Sequence, residues 1–325
     1  MNAVIKYDLP LVSIIVITYN SSKYVLETLE SAKAQTYRNI ELIVSDDGSK
    51  DNTIEICRQW IEENKGIFTQ AELITTPINT GIPANCNRGM KVSQGIWAKL
   101  IAGDDILLPN CIDDNIKYII EHPHCKIVQS NCRIYLNEIN NNSLLNIKEY
   151  RNKLFLSDNI DAQTQHKILI YNNSVSAVAV FLKKSLLETL GGYDNCVKLF
   201  EDLPMWLKIT EAGYKIYYMN KVTVGYRQNS ESVMHNMENG LFNYNFIKDR
   251  ELVNLKYIYS YKSFFGKLLH HLRFKTYYLL NLLKMNNDTF IPKMILSMTL
   301  RINSLYVSLQ LKKIEKSYNI FKSNS

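Results

Sequence analysis

No stretch of this 325-residue chain approaches the roughly 20 apolar residues that span a bilayer, and its start, MNAVIKYDLP, has no basic segment followed by a long apolar core. A secreted or membrane-spanning protein is not expected. The six cysteines, Cys57, Cys86, Cys111, Cys125, Cys132 and Cys196, form no CxxC pair, and His122, His124 and His166 show no ligand spacing. Zinc and a disulfide framework are therefore not indicated, reduced thiols in cytoplasm fit best, and these histidines read as surface or helix-end residues. A GxGxxG or GxxxxGK loop is also missing, so backbone amides of that kind do not cradle a phosphate. Acidic residues are scarce in one region only: from Lys256 onward there are 12 Lys and Arg against Asp288 and Glu315. The net charge of +7 thus sits in the tail, which calls for an anionic partner, lipid or nucleic acid. No nucleic-acid-binding module accompanies the charge, which disfavours the second.

What is present is a globular composition, 46% hydrophobic with ordinary charge. Val12–Ile17 is a continuous, β-branched apolar run, the pattern of a strand buried on both faces of a parallel sheet. A helix follows to about Gln35, with Ser21 or Ser22 as its cap and Val25, Leu29 and Ala32 at helical spacing. Ile40–Val44 is a second strand, Asp51 caps a helix to about Glu62, and Glu72–Thr75 is a third strand. A helix through Asn87 and Met90 leads to a fourth strand at Trp97, and Pro109 opens the next helix. Strands alternating with helices in this way imply βαβ units and a parallel sheet.

Two carboxylate pairs stand at strand exits: Asp46-Asp47 before Gly48-Ser49, and Asp104-Asp105 after Gly103. Ligands of open α/β sheets bind beyond the carboxyl ends of the strands. Adjacent carboxylates repel, and a divalent cation or a run of donors is needed to keep both ionised. Each pair is also what a plain polar turn looks like. If both face one crevice, one would hydrogen-bond a base or ribose and the other would hold a metal on a diphosphate.

Taken in order, VSIIVITYN at 12–20, IVSDDGS at 43–49, Asn79-Thr80-Gly81 with Asn87-Arg88-Gly89, Gly103-Asp104-Asp105, Gly191-Gly192-Tyr193-Asp194, Glu201-Asp202 with Trp206, and Tyr226-Arg227 closely resemble the family 2 glycosyltransferases. The resemblance spans roughly residues 10–235. It implies an α/β fold of the GT-A type, a Rossmann-like, mostly parallel sheet flanked by helices, here with a C-terminal helical extension. Residues 1–235 would be the catalytic domain, with a donor half over about 10–130 and an acceptor half over about 131–235, and residues 236–325 a basic helical region. The resemblance implies an inverting transferase that takes a sugar from a nucleotide-sugar, most often UDP-linked. Thr18, Asn20, Asp46, Asp47, Asn79, Gly81, Asn87, Asp104 and Arg227 would bind the donor, with Asp47 on the base. Asp104 and Asp105 would bind Mn²⁺ or Mg²⁺, Asp105 directly, and Asp202 would be the general base. The chain departs from the family at Ile17, often Pro, at Cys86, often Arg, and at Ala102, often a further acid. The last change leaves the final two acids in place, and the change at Cys86 removes a phosphate or base contact.

In the second half, Val175–Phe181 reads as a strand and Lys183–Leu190 as a helix stopped by Gly191-Gly192. Glu201-Asp202 opens another helix, where the dipole favours an ionised carboxylate; by local sequence alone a helix cap is the favoured reading. Residues 131–160, with the charged run around Lys148–Arg151, have weak periodicity and read as acceptor-facing loops. Beyond about His235 the alternation stops, and Lys256–Lys316 is helical, divided by Pro292. Two readings of the basic helices carry equal weight: peripheral contact with the inner face of the cell membrane, or a cap on the catalytic domain or on a second subunit of a homodimer. The expected acceptor is a glycan, polyprenyl-lipid-linked in many such transferases, in bacterial O-antigen or capsule polysaccharide synthesis. A sugar nucleotidyltransferase would need a Gly-rich basic loop after the first strand, and Thr18–Ser22 has no glycine. A silent nucleotide-sugar-binding scaffold would have no reason to keep Asp47, Asp105 and Asp202, and a processive synthase would have a Gln-x-x-Arg-Trp motif.

Overall fold

The computed structural model describes residues 9–148, 152–228 and 240–323. Residues 149–151 of the charged run and the expected boundary at residue 235 lie outside the described residues. The chain divides into two compact units: Met1–Glu149 with Ser176–Tyr193 and Tyr217–Arg227, and Tyr150–Val175 with Asp194–Ile216 and Gln228–Ser325.

The first unit is built on one sheet. Its strands are β1 (Val12–Thr18), β2 (Ile40–Asp46), β3 (Gln70–Thr75), β4 (Trp97–Ala102), β5 (Ile106–Leu107), β6 (Ile127–Leu136), β7 (Leu144–Lys148), β8 (Val180–Lys183) and β9 (Tyr217–Gln228). The order is β3-β2-β1-β4-β8-β6-β9-β5, with β7 paired to β6. The half β3-β2-β1-β4 is parallel, whereas β8 meets β4 and β6 antiparallel and β5 meets β9 antiparallel. All seven residues of β2 and six of seven in β1 are buried, as strands covered on both faces require. The covering helices are α1 (Val25–Lys33), α2 (Thr53–Asn64), α3 (Ile82–Val92), α4 (Cys111–Glu121) and α6 (Lys184–Thr189). Helix α3 lies close on the sheet because Gly89 has no side chain; a Cβ there would meet Ile15 Cγ2 at 2.5 Å.

Several local expectations change. Helix α1 starts at Val25 with no side-chain cap; the Ser21 carbonyl, not a Ser hydroxyl, accepts from the Tyr24 and Val25 amides. Residues 127–148 contain the antiparallel pair β6–β7 rather than loops alone, with Asn137 at φ 60 after β6. The expected strand at Val175 begins only at Val180. Ala177–Ala179 is a 3₁₀ turn, whose Val178 carbonyl and that of Val180 accept from buried Lys99 Nζ at 2.5 and 3.1 Å. Helix α6 does end at Gly191 and Gly192, both at positive φ, with amides bonded to the carbonyls of Glu188 and Leu187.

The second unit holds α5 (Ala162–Leu169), α7 (Asp202–Glu211), α8 (Tyr244–Val253), α9 (Phe264–Leu282) and α10 (Phe290–Ser323). His166 is buried rather than at the surface, with Nδ1 3.0 Å from Thr210 Oγ1 of α7, and burial lowers its pKa. Pro292 does not divide the tail. It sits in the first turn of α10, where a missing amide is tolerated, and the break precedes it between α9 and Phe290. Phe242, Ile247, Phe274, Tyr277, Leu280 and Leu296 form the core of this region.

Candidate active site

Three strand ends of the first unit lie side by side. The register pairs Thr18, the last residue of β1, with Asp46, the last of β2, and Ile17 with Ala102, the last of β4. The chain order reverses at β1, with β2 on one flank and β4 on the other. A doubly wound sheet binds ligands in the crevice at that switch point. Both carboxylate pairs leave the sheet here. Gly103 fits against Thr18 because it lacks a side chain; a Cβ would meet Thr18 Cγ2 at 2.8 Å.

Asp46 is fully buried, and four donors of its own unit hold it. Thr18 Oγ1 and Ser49 Oγ donate to Oδ2 at 2.8 and 2.5 Å, and the amides of Gly48 and Ser49 donate to Oδ1 at 3.0 and 2.9 Å. Asp47 is equally engaged. Oδ2 accepts the amides of Thr80 and Gly81 at 2.9 and 2.8 Å, while Oδ1 accepts Thr80 Oγ1 at 2.5 Å and Arg88 Nη2 at 2.8 Å. Its carboxylate thus fixes the turn at 79–81, where Asn79 Oδ1 also accepts the Gly81 amide at 3.1 Å. Asn20, at φ 50, joins the same loop cluster: its amide donates to Ser49 Oγ and its Oδ1 accepts the Lys50 amide, both at 2.8 Å. Asn87 brackets the Tyr193 backbone, accepting its amide and donating to its carbonyl, both at 2.9 Å.

The second pair is held differently. Asp105 is 2% exposed, and its Oδ1 accepts the Arg227 amide at 2.8 Å. Burial, and then the charge of half-buried Asp104, push the Asp105 carboxyl well above the ordinary carboxylate range. The Arg227 guanidinium is turned to other partners: Nε to the Asp104 carbonyl at 2.7 Å, Nη1 to the Asn137 carbonyl at 2.6 Å and Nη2 to Glu27 at 2.7 Å. It also stacks 4.1 Å over the Tyr24 ring. Arg227 therefore clamps α1, the Asp104 turn and the end of β6.

Burial and repulsion of this kind are relieved by a bound dication, and hard oxygen donors suit Mg²⁺ or Mn²⁺. Asp104 and Asp105 fit that group. Among the described residues no cluster of three or more His, Cys, Asp or Glu could hold a metal. Mg²⁺ sites commonly take one or two carboxylates and complete their shell with water and substrate phosphate, so two acids are a sufficient protein share.

In the second unit, Asp202 is the first residue of α7. Its Oδ1 accepts the Leu203 amide at 2.6 Å and its Oδ2 accepts Asn173 Nδ2 at 2.7 Å. Burial, then the charge of Asp202, raise the pKa of Glu201 to about 8. The preceding loop is braced by the helices that follow. Asp194 accepts Lys256 Nζ at 2.6 Å and Tyr257 Oη at 2.7 Å, Asp249 accepts the amides of Lys198 and Leu199 at 2.9 and 3.0 Å, and Phe200 packs on Phe246 with ring centroids 4.6 Å apart.

Residues that the sequence reading did not single out complete these groups: Thr80 and Arg88 on Asp47, Glu27 and Tyr24 on Arg227, Asn173 on Asp202. Arg88 carried a signal, as a cation inside the Asn87-Arg88-Gly89 match two residues from buried Cys86. Thr80 likewise stood inside the Asn79-Thr80-Gly81 match, whereas Glu27, Tyr24 and Asn173 carried no signal, because each meets a partner far away in the sequence.

A parallel β3-β2-β1-β4 half with acids at the strand exits is the arrangement in which α/β proteins bind ligands at the switch point of the sheet. The family model Glycosyl transferase family 2 matches residues 13–178. An uncharacterized glycosyltransferase of Rickettsia prowazekii is 27% identical over 235 residues, 72% of this chain and 69% of the relative. The putative glycosyltransferase EpsE of Bacillus subtilis is 23% identical over 78% of this chain and 87% of its own length. Among solved structures, S. aureus TarS 1-349 in complex with UDP-GlcNAc aligns with TM-score 0.58 at 17% identity, over 95% of this chain and 91% of that one. The mannosyltransferase of Pyrobaculum calidifontis in complex with GDP-Man and Mn²⁺ aligns with TM-score 0.53 at 16% identity, covering 97% and 76%. The fold is GT-A. The chain belongs to glycosyl transferase family 2 and is a glycosyltransferase.

Proposed function

We propose that the protein is an inverting, metal-dependent enzyme that transfers a sugar from a UDP-linked donor to a glycan acceptor in the synthesis of a bacterial surface polysaccharide. The observation that carries this reading is the placement of two acid pairs at the ends of β2 and β4, either side of Thr18. The UDP-GlcNAc held by TarS and the Mn²⁺ of the mannosyltransferase complex support the donor class and the cation for proteins of this fold.

In this reading the nucleotide-sugar lies along the strand exits, among Thr18, Asn20, Asp47, Asn79, Gly81 and Asp104. Asp46, Asn87 and Arg227 act through the backbone that they hold. Asp104 and Asp105 hold Mn²⁺ or Mg²⁺, which supplies positive charge against the departing nucleoside diphosphate. Asp202 takes the proton from the acceptor hydroxyl as that oxygen attacks the anomeric carbon, and one displacement inverts the configuration. The start of a helix favours the ionised form that a base requires. Residues 1–235 form the catalytic part and 236–325 an extension in this reading.

A donor panel tests it. Release of a nucleoside diphosphate is measured with Mn²⁺, with Mg²⁺ and with EDTA, for the parent chain and Asp202→Asn. The expected result is release from one UDP-sugar, lost on chelation, with transfer at least about 100-fold lower in the variant. Cation-independent release, or full transfer by the variant, contradicts the reading.

A further inference from the structure

Helices α9 and α10 of the second unit pack antiparallel. Tyr306 meets the start of α9, at Ser263 Oγ (3.0 Å) and over Gly266, Thr299 meets Thr276 in its middle (3.4 Å), and Leu296 joins the cluster with Leu280 near its end. On α9 the exposed residues Phe265, Lys275 and Leu279 each precede by one position a residue at this seam, Gly266, Thr276 and Leu280. On α10 exposed Ile295, Met298 and Leu305 each precede Leu296, Thr299 and Tyr306 by one position. One position is about 100° of helix rotation, and in an antiparallel pair the same rotation on both helices turns both rows to the same side.

Apart from Lys275, that side is apolar from Phe265 to Leu279 on α9 and from Ile295 to Leu309 on α10. Leu268, Leu272 and Leu279 continue the α9 row at steps of four and seven, and Met298, Ile302, Leu305 and Leu309 continue the α10 row at steps of four and three. Leu305 remains 67% exposed and Leu279 54%. Contiguous exposure on this scale marks an interaction surface. The α10 row then runs at the same steps into exposed Lys312, Lys313 and Lys316, Arg301 adjoins Ile302, and Lys275 lies within the α9 row. Acids in the two helices and their linker are Asp288, which pairs with Lys293 at 2.6 Å, and Glu315.

The geometry points to this two-helix face as a docking surface for an anionic phospholipid bilayer, on which α9 and α10 lie in the interface plane. Charge chooses the occupant. A second copy would set one strongly basic face against another, whereas an anionic leaflet neutralises the lysines and takes up the leucines. Among the described residues no helix is long and apolar enough to cross a membrane, and at 34 residues α10 would lie along about 51 Å of surface at 1.5 Å per residue. The inference does not depend on the proposed donor, metal or base.

The test is co-sedimentation of the full chain with vesicles of phosphatidylcholine containing phosphatidylglycerol, and with phosphatidylcholine alone, at low and high salt. The expected result is binding to the anionic vesicles only, weakened by salt. Lys312→Glu with Lys313→Glu and Lys316→Glu lowers affinity by about 100-fold, at about 1 kcal/mol per cation. Leu279→Ser with Leu305→Ser lowers it at least about tenfold through lost apolar burial. All these side chains are solvent-exposed, so thermal melting midpoints should match the parent and separate lost docking from misfolding. Equal binding to neutral vesicles, or parent-like binding by both variants, overturns the proposal. So does an absence of vesicle binding together with a concentration-dependent dimer that the leucine variant dissociates.

Discussion

The two carboxylate pairs at the strand exits look alike in sequence and are opposite in physics. Asp46 and Asp47 are hydrogen-bonded by hydroxyls, amides and a guanidinium of their own unit, so their charge is compensated from within. Asp105 is buried beside a second acid, with one backbone amide on Oδ1 and the neighbouring guanidinium directed to Glu27 and to carbonyls. A buried carboxylate beside a like charge, as Asp105 is, is pushed toward its protonated form. In the proposed reading the first pair builds the floor of the donor site. In the same reading the second pair takes up the cation.

The largest effect should come from Asp105→Asn. Turnover is expected to fall by about 10²–10³, the cost of removing one transition-state charge contact, while the melting temperature holds or rises because a buried charge is gone. A fall in both would place Asp105 with Asp46. Arg227→Met should cost about 3 kcal/mol of unfolding free energy in denaturant titration, since it strips a buried guanidinium from two carbonyls and Glu27. Asp46→Asn should destabilise by about 2 kcal/mol, leaving donors of the β2 exit unsatisfied, with residual activity tracking the folded fraction. A stable but inactive Asp46→Asn would erase the distinction.

The smallest effect is expected in the second unit, at Asp194. Burial alone would raise its pKa, but hydrogen bonds from Lys256 and Tyr257 outweigh that and bring the carboxyl down to about 2. Its folded pKa lies below the unfolded one, so its stabilisation is present above about pH 4 and is lost as pH falls toward 2. Asp194→Asn should therefore cost about 1 kcal/mol at neutral pH, and the gap from the parent should close over that acid range in pH-dependent melting.

The centre of the parallel half was legible because a strand buried on both faces reads as an apolar, β-branched run, as in VSIIVI, and WAKLIA is apolar but for Lys99. The acid pairs stood out for the same reason, as the polar residues that end those runs. What each acid touches was not legible. The Arg227 contacts join positions 90, 122, 123 and 200 residues apart, and no local pattern encodes them. Lys99 hid the turn at 177–179: a lysine inside an apolar strand gave no sign that its ammonium would end on the Val178 and Val180 carbonyls. The β6–β7 pair was missed because β6 buries polar Gln129, Ser130 and Asn131 and β7 is exposed over residues 144–146, so neither strand shows an apolar alternation. In the tail, Pro292 suggested a break by its usual effect inside a helix, yet the first turn accommodates it.

The most direct measurement is calorimetric titration of UDP into the parent, Asp46→Asn and Asp105→Asn, each with Mn²⁺ and with EDTA. The account predicts Mn²⁺-dependent binding in the parent and in folded Asp46→Asn, and loss of that dependence in Asp105→Asn. Equal Mn²⁺ dependence in all three, or UDP binding indifferent to the cation in the parent, would contradict the assignment of the cation to the second pair.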